Sequence, residues 1–158
     1  MQKKQKVVIL GATGSIGNST LSVIEHNPEK YEAFALVGGS NVGAMFEKCV
    51  KFRPHFVALA DESAAKHLRE KVATHQLPTQ VFAGQQAICE LSAHPDADMV
   101  MAAIVGAAGL LPTLSAVKAG KKVLLANKEA LVTCGQIFID AVKRYGAQLL
   151  PVDSEHNA

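Results

Sequence analysis

Three groups of residues in this sequence have types and spacing that suggest chemistry. The first is Gly11-Ala12-Thr13-Gly14-Ser15-Ile16-Gly17, in which glycine recurs at every third position. Glycine allows a tight turn and a close approach of the backbone to an anion. Where such a turn opens a helix, the free N–H groups and the positive end of the helix dipole attract phosphate. The motif predicts a dinucleotide pyrophosphate site, although an ordinary tight strand-to-helix turn would have the same residues.

Each glycine of this loop has a separate expected role. Gly11 permits a tight turn off a strand, and Gly14 lets the backbone lie close to the pyrophosphate. Gly17 lets the helix pack closely against the sheet. The spacing is G-x-x-G-x-x-G rather than G-x-G-x-x-G, so the flanking elements must support the interpretation.

The second group is Gly38-Gly39-Ser40-Asn41, about twenty residues beyond the loop, where an NAD enzyme usually presents an acid to the ribose 2′-hydroxyl. No acid is present in this turn, and Ser40 and Asn41 could donate hydrogen bonds to a 2′-phosphate. The turn therefore favours NADP. A simpler interpretation, compatible with the first, is that the glycines turn the chain and Asn41 caps the next helix.

The third group combines Asn127-Lys128-Glu129 with Asp153-Ser154-Glu155. Two carboxylates separated by one residue could face one hard cation such as Mg²⁺ or Mn²⁺, with water or substrate completing the coordination. Lys128 could hold a phosphate or polarise a substrate oxygen. The D-x-E pattern is also common on protein surfaces, so the residues alone leave both interpretations open.

Short apolar segments alternate with segments of helical periodicity along the whole chain, and the polar groups follow the apolar segments. The first helix is predicted to turn Ile16, Thr20, Val23 and Ile24 inward. Parallel strands need helical crossovers, so we expect an α/β fold with a doubly wound, mainly parallel, Rossmann-like sheet. The predicted strands cover residues 7–10, 33–37, 55–60, 80–83, 99–105, 123–126 and 148–152.

Composition narrows the classes of partner. The 158 residues suffice for one domain with a core, and the net charge of +2 is too balanced to indicate nucleic acid or a membrane surface. No apolar run approaches the roughly 20 residues of a membrane span.

The three cysteines, Cys49, Cys89 and Cys134, are widely spaced among apolar residues. This arrangement favours reduced core thiols and a cytoplasmic location. A nucleophilic Cys134 is an alternative, but no obvious base accompanies it.

Four segments together resemble the 1-deoxy-D-xylulose 5-phosphate reductoisomerase family. They are the glycine loop, Ala102-Ala103-Ile104-Val105-Gly106-Ala107-Ala108-Gly109-Leu110, Leu125-Ala126-Asn127-Lys128-Glu129 and Pro151-Val152-Asp153-Ser154-Glu155-His156-Asn157-Ala158. The resemblance implies an NADPH- and metal-dependent enzyme that makes 2-C-methyl-D-erythritol 4-phosphate in the non-mevalonate isoprenoid pathway. It also implies a sugar-phosphate substrate and a homodimeric full-length enzyme.

The resemblance also assigns roles to individual positions. It implies a substrate contact and catalytic role for Lys128, a substrate contact for Ser154, and a catalytic, substrate and metal role for Glu155. Asp153 is the other implied metal ligand. The implied cofactor contacts are Thr13, Gly14, Ser15, Ile16, Gly39, Asn41, Asn127 and Glu129.

Two departures from the family pattern qualify these expectations. Some relatives have Lys where this chain has Ser40, and the family continues well beyond this sequence. We therefore expect residues 1–152 to form an NADPH-binding domain and 153–158 to begin a truncated catalytic and connecting region, so that this chain alone is inactive. The rivals are a nucleotide-sensing module without chemistry and another NADP-dependent dehydrogenase, such as a semialdehyde dehydrogenase, for which Cys134 is the only candidate nucleophile.

Overall fold

The computed structural model describes residues 3–126 and 129–152, the second range without the side chains of residues 129–131 and 133. Within these ranges strands and helices alternate, which confirms the predicted α/β class. The strands are β1 (Gln5–Leu10), β2 (Tyr31–Gly38), β3 (Phe56–Leu59), β4 (Gln80–Ala83), β5 (Met99–Ala102), β6 (Lys122–Leu125) and β7 (Gln148–Pro151). The helices are α1 (Ser15–His26), α2 (Val42–Phe52), α3 (Glu62–Thr74), α4 (Gln85–Ser92), α5 (Leu110–Lys118) and α6 (Glu129–Tyr145).

The described strands form one sheet in the order β4-β3-β2-β1-β5-β6-β7, and every pair is parallel. The chain starts at the centre, builds outward to β4, then returns to the other side of β1 and builds outward to β7. The order therefore reverses between β1 and β5. In open α/β sheets the crevice at the carboxyl ends of the strands beside such a reversal is the usual ligand site.

The core has two layers because successive residues of a strand point to opposite faces of the sheet. Val7 and Ile9 of β1 belong to the layer that includes residues of α1, α2 and α3. Val8 and Leu10 belong to the layer that includes residues of α4, α5 and α6. Continuous apolar strands are what a parallel sheet with two covered faces requires.

The predicted inward stripe of α1 is largely wrong. Of its four members only Ile24 is buried, whereas Ile16 and Thr20 are half-buried and Val23 is 53% exposed. The side of α1 that enters the core consists of Gly17, Leu21 and Ile24. Both sets satisfy helical periodicity, and the close packing of Gly17 against the preceding loop fixes which of them turns inward.

Strand β5 ends at Ala102, three residues earlier than the apolar run predicts. Ala102 pairs with Leu10 on one side and Leu125 on the other, and both neighbouring strands end there. Beyond this level the chain leaves the sheet, so Val105 is 81% exposed. The chain then turns at Gly106, where φ is +76°.

For the last helix the sequence predicts residues 133–145, ended by Gly146, and the structure differs from this prediction at the start of the helix. It begins at Glu129 rather than Thr133, and its backbone departs from helical geometry at Cys134 (φ −127°, ψ 28°). Its predicted end is confirmed, because Gly146 has a φ of +68° immediately after Tyr145. Among the residues that the structure describes, no helix has the length and apolar character needed to cross a membrane.

Candidate dinucleotide-binding site

The glycine loop begins where β1 ends, at the reversal of strand order. Gly11 has a φ of +82°, a conformation that side chains disfavour, which confirms its predicted role in the tight turn. A Cβ on Gly11 would lie 2.7 Å from the carbonyl oxygen of Ala103, immediately after β5. The residue therefore allows the loop to pass close to the neighbouring strand's end.

Gly17 and Gly14 differ in what surrounds them. A Cβ on Gly17 would lie 2.2 Å from the Gly11 carbonyl oxygen, so α1 packs directly on the loop backbone. A Cβ on Gly14 would meet only that same oxygen at 3.5 Å, an ordinary contact, and Gly14 is exposed. The domain's own packing thus requires glycine at position 17 but not at 14, where the missing side chain leaves space on the outer surface.

Helix α1 begins without a side-chain cap, in contrast to the next two helices. Its N-cap residue is Gly14, whereas Asn41 caps α2 and Asp61 caps α3 by accepting hydrogen bonds from the N–H groups of Ala44 (3.1 Å) and Ala64 (2.8 Å). The N–H groups at positions 15–17 donate to no other described residue. These donors and the positive end of the helix dipole form a site suited to an anion.

Hydrogen bonds hold the glycine loop next to the turn that follows β2. The N–H groups of Gly11 and Ala12 both donate to the Val37 carbonyl oxygen, at 3.0 and 2.9 Å. A Cβ on Gly38 would lie 4.0 Å from Thr13 Oγ1. The structure thus brings the first two predicted groups to one edge of the sheet: residues 13–16 and residues 39–41.

The turn after β2 presents donors to solvent. Gly39, Ser40 and Asn41 are exposed. Because the Asn41 side-chain oxygen already accepts the capping hydrogen bond from Ala44, its amide nitrogen remains as a donor. The predicted capping role of Asn41 is confirmed, and the geometry leaves room for its predicted contact with a phosphate.

Asp61 is a neighbour of this turn that the sequence reasoning missed. Its N–H donates to the Gly39 carbonyl oxygen at 3.1 Å, although the two residues belong to different strand-to-helix connections. Its carboxylate faces the start of α3, where the helix dipole offsets part of the negative charge. Two signals in the sequence could have predicted this proximity. Asp61 is a helix cap immediately after β3, and β2 and β3 are expected to be adjacent strands.

The third group falls mainly outside the described residues. The members that lie outside the described residues are Asn127, Lys128, Asp153, Ser154 and Glu155. Glu129 is the first residue of α6. The strands that lead to them are adjacent, because Leu125 pairs with Pro151 and the Val152 N–H donates to the Leu125 carbonyl oxygen at 2.8 Å. Residues 3–126 and 129–152 contain no cluster of three His, Cys, Asp or Glu able to hold a metal.

The three cysteines are free thiols. Cys49 is buried in the layer beneath α2, and this burial raises its pKa to about 11. Cys134 is half-buried and packs against the core layer beneath α6. Both environments fit packing roles and offer no support for a thiolate nucleophile.

The family model and the most similar sequences agree on one family. The family model described as 1-deoxy-D-xylulose 5-phosphate reductoisomerase matches residues 7–135. The 1-deoxy-D-xylulose 5-phosphate reductoisomerase of Haemophilus influenzae strain PittGG is 78% identical over 156 residues. That match covers 99% of this chain but 39% of the relative, so this chain spans about two fifths of the relative's length.

Solved structures of reductoisomerases have the same fold as this chain over nearly its whole length. The reductoisomerase of Zymomonas mobilis in complex with NADPH is 44% identical, with a TM-score of 0.91 over 99% of this chain and 40% of that one. A DOX-P reductoisomerase in complex with NADPH, fosmidomycin and magnesium is also 44% identical, with a TM-score of 0.91 over 98% and 38%. The sequence match and the shared fold show that this chain belongs to the 1-deoxy-D-xylulose 5-phosphate reductoisomerase family.

Proposed function

We propose that this chain forms the NADPH-binding part of an enzyme that converts 1-deoxy-D-xylulose 5-phosphate to 2-C-methyl-D-erythritol 4-phosphate. The observation that carries the proposal is the uncapped start of α1, which lies beside a turn without acidic residues. Two relatives with the same fold are described in complex with NADPH, which supports the choice of cofactor.

The described residues fit this cofactor. The open N–H groups of the first turn of α1 would bind the pyrophosphate, and the surface over Gly14 has no side chain to obstruct it. Ser40 and the Asn41 amide would donate to the 2′-phosphate. Thr13, Ser15, Ile16 and Gly39 complete the proposed cofactor contacts, together with Asn127 and Glu129.

The proposed substrate and metal residues follow β6 and β7. Lys128 would hold an anionic oxygen of the sugar phosphate, with Ser154 as a second contact. Asp153 and Glu155 carry the oxygen donors that Mg²⁺ or Mn²⁺ prefers, and one relative is described in complex with magnesium. When bound, NADPH would supply hydride and the cation would stabilise developing oxygen charge, while Lys128 and Glu155 would orient the reacting groups.

We assign residues 1–152 to the cofactor domain and 153–158 to the start of the catalytic and connecting region. The proposed full-length enzyme is a cytoplasmic homodimer that acts on a small molecule and binds neither nucleic acid nor membrane. The three free thiols support a reducing compartment. The length of the relatives, of which this chain covers 39%, supports an active site completed by further polypeptide.

We expect this chain to bind NADPH more tightly than NADH, because the turn after β2 presents donors and no carboxylate. Fluorescence titration with the two cofactors measures the preference. The Ser40→Asp variant should shift the ratio of affinities toward NADH by about tenfold, through repulsion of the 2′-phosphate. The exposed position of Ser40 makes the fold insensitive to this change, and a melting curve provides the control. Equal or tighter NADH binding by the unsubstituted chain would contradict the proposed NADP specificity.

We expect the 158-residue polypeptide to bind Mn²⁺ weakly and to leave the sugar phosphate unconverted. Two carboxylates leave most positions of an octahedral ion to water, and little stabilisation specific to a transition state is available. Calorimetry with MnCl₂ and an NADPH-oxidation assay test both expectations. Tight stoichiometric binding that Asp153→Ala abolishes, or NADPH oxidation with the substrate, would show that the 158 residues already complete the site.

A further inference from the structure

In the part of the chain that the structure describes, one face of the sheet has no helix over β5, β6 and β7. On this face α1, α2 and α3 pack against the half of the sheet that contains β1–β4. Helices α4, α5 and α6 pack on the opposite face. Among residues 3–126 and 129–152, no helix covers the remaining strands on the α1 side. Parallel sheets normally have both faces buried, so this uncovered area requires an explanation.

Exposure on this face increases with distance from the centre of the sheet. Ile9, Met101, Leu124 and Leu150 are register partners across β1, β5, β6 and β7, so their side chains share one face. Ile9 is fully buried and Met101 nearly so, Leu124 is half-buried, and Leu150 is 42% exposed. The apolar surface therefore continues across the sheet past the point where α1 stops covering it.

Helix α1 forms a wall beside this surface. Its side chains Ile16, Thr20 and Val23 line an open groove of about 640 Å³ whose floor includes Met101 and Leu124. These three residues belong to the stripe that sequence periodicity predicts to be buried. A sheet floor beside a helix wall is the shape that another helix fills in layered α/β folds.

Lysine side chains line the amino-terminal end of the groove. An adjoining cavity of about 410 Å³ is lined by Lys3, Lys30 and Lys122, and shares Tyr31 and Met99 with the groove. Within the described part of the chain, none of these lysines lies within 4.0 Å of a carboxylate. A segment covering the groove would remove water from Lys122, which is costly unless an acidic side chain faces it.

We infer that this surface, defined as the groove and its three lysines, binds an amphipathic helix with an apolar stripe and acidic residues at one end. The helix comes from the part of the reductoisomerase that lies outside the region matched by this chain, which is most of the Haemophilus influenzae relative. A second copy of this chain is a poorer fit, because two facing grooves would leave the space between them unfilled. The inference rests on family membership and is independent of NADPH binding.

Site-specific thiol labelling tests whether the groove is covered. Val23→Cys is made in this chain and in a chimaera in which this chain replaces the matching region of the Haemophilus influenzae enzyme. Thr74→Cys, an exposed position of α3, is the matched control. We expect maleimide to label Cys at position 23 about tenfold or more slowly in the chimaera. The control should react equally in both proteins.

Two labelling outcomes would overturn the inference. One is equal labelling of the Val23→Cys variant in the short chain and the chimaera, which would leave the groove open in the full-length protein. The other is protection in the short chain that grows with protein concentration, which would identify a second copy as the occupant. Peptide mass spectrometry separates the introduced thiol from the native cysteines.

Charge reversal tests the acidic end of the proposed helix. Lys122→Glu should lower the melting temperature of the chimaera by about 2 °C or more, and leave that of the short chain nearly unchanged. Lys66→Glu, at an exposed position of α3, should affect neither protein. Equal shifts in both proteins, or none in the chimaera, would refute the charge contact. NADPH affinity, measured on the same samples, should stay constant and so separates this test from the proposed function.

Discussion

The Gly14→Val variant should fold, and its affinity for NADPH should be lower by about 100-fold or more. Gly14 has φ −82° and ψ 176°, an extended conformation that valine readily adopts. Its Cβ would meet only the Gly11 carbonyl oxygen at 3.5 Å, so the domain itself tolerates the side chain. The isopropyl group would instead occupy the outer surface above the open N–H groups of α1, where the pyrophosphate must lie.

Titration calorimetry with NADPH, combined with thermal unfolding, measures this effect. The Gly14→Ala variant completes a graded series, because its single methyl group should weaken binding less than valine does. A Gly14→Val protein that melts normally and binds NADPH with unchanged affinity would show that the phosphate loop is assigned wrongly. A protein that fails to fold would contradict the packing described for position 14.

The Gly17→Val variant should have the opposite phenotype and lose stability, on the order of 3 kcal/mol. A Cβ at this position would lie 2.2 Å from the Gly11 carbonyl oxygen and 2.7 Å from the Ala12 Cα. These are backbone atoms, held in turn by the hydrogen bonds from Gly11 and Ala12 to Val37. Helix α1 could accommodate a side chain only by moving away from the loop.

Urea unfolding gives the free energy of unfolding of this variant and of its control. Gly39→Ala is a suitable control, because a Cβ there meets nothing within 4 Å and the change should fall within about 0.5 kcal/mol. A Gly17→Val protein as stable as the unsubstituted chain would show that α1 does not pack on the loop as described.

The sequence predicted the geometry of the glycine loop well because the signals for that geometry are local. A glycine-rich turn between an apolar strand and a periodic helix specifies its own geometry, and the structure bears this out at Gly11. The Asn41 and Asp61 caps were also predictable, since a short polar side chain just before a helical stretch has few other roles. These features depend on residues within a few positions of one another.

The features that were missed depend on neighbours distant in sequence. The end of β5 at Ala102 is set by the ends of β1 and β6, and hydrophobicity does not reveal where a partner strand stops. The approach of Asp61 to Gly39 likewise depends on the pairing of β2 with β3. For α1, two sets of residues satisfy the same periodicity, and only the packing of Gly17 selects between them.

The claim that this domain binds NADPH on its glycine loop is tested most directly by mapping amide chemical shifts during an NADPH titration of the ¹⁵N-labelled chain. We expect the largest saturable changes at the amides of residues 13–17 and 39–41, which share one edge of the sheet. The amides of β4 and α3 away from Asp61 should remain unchanged. Saturable shifts centred on another surface, or no shifts at millimolar NADPH, would contradict the assignment of this loop as the cofactor site.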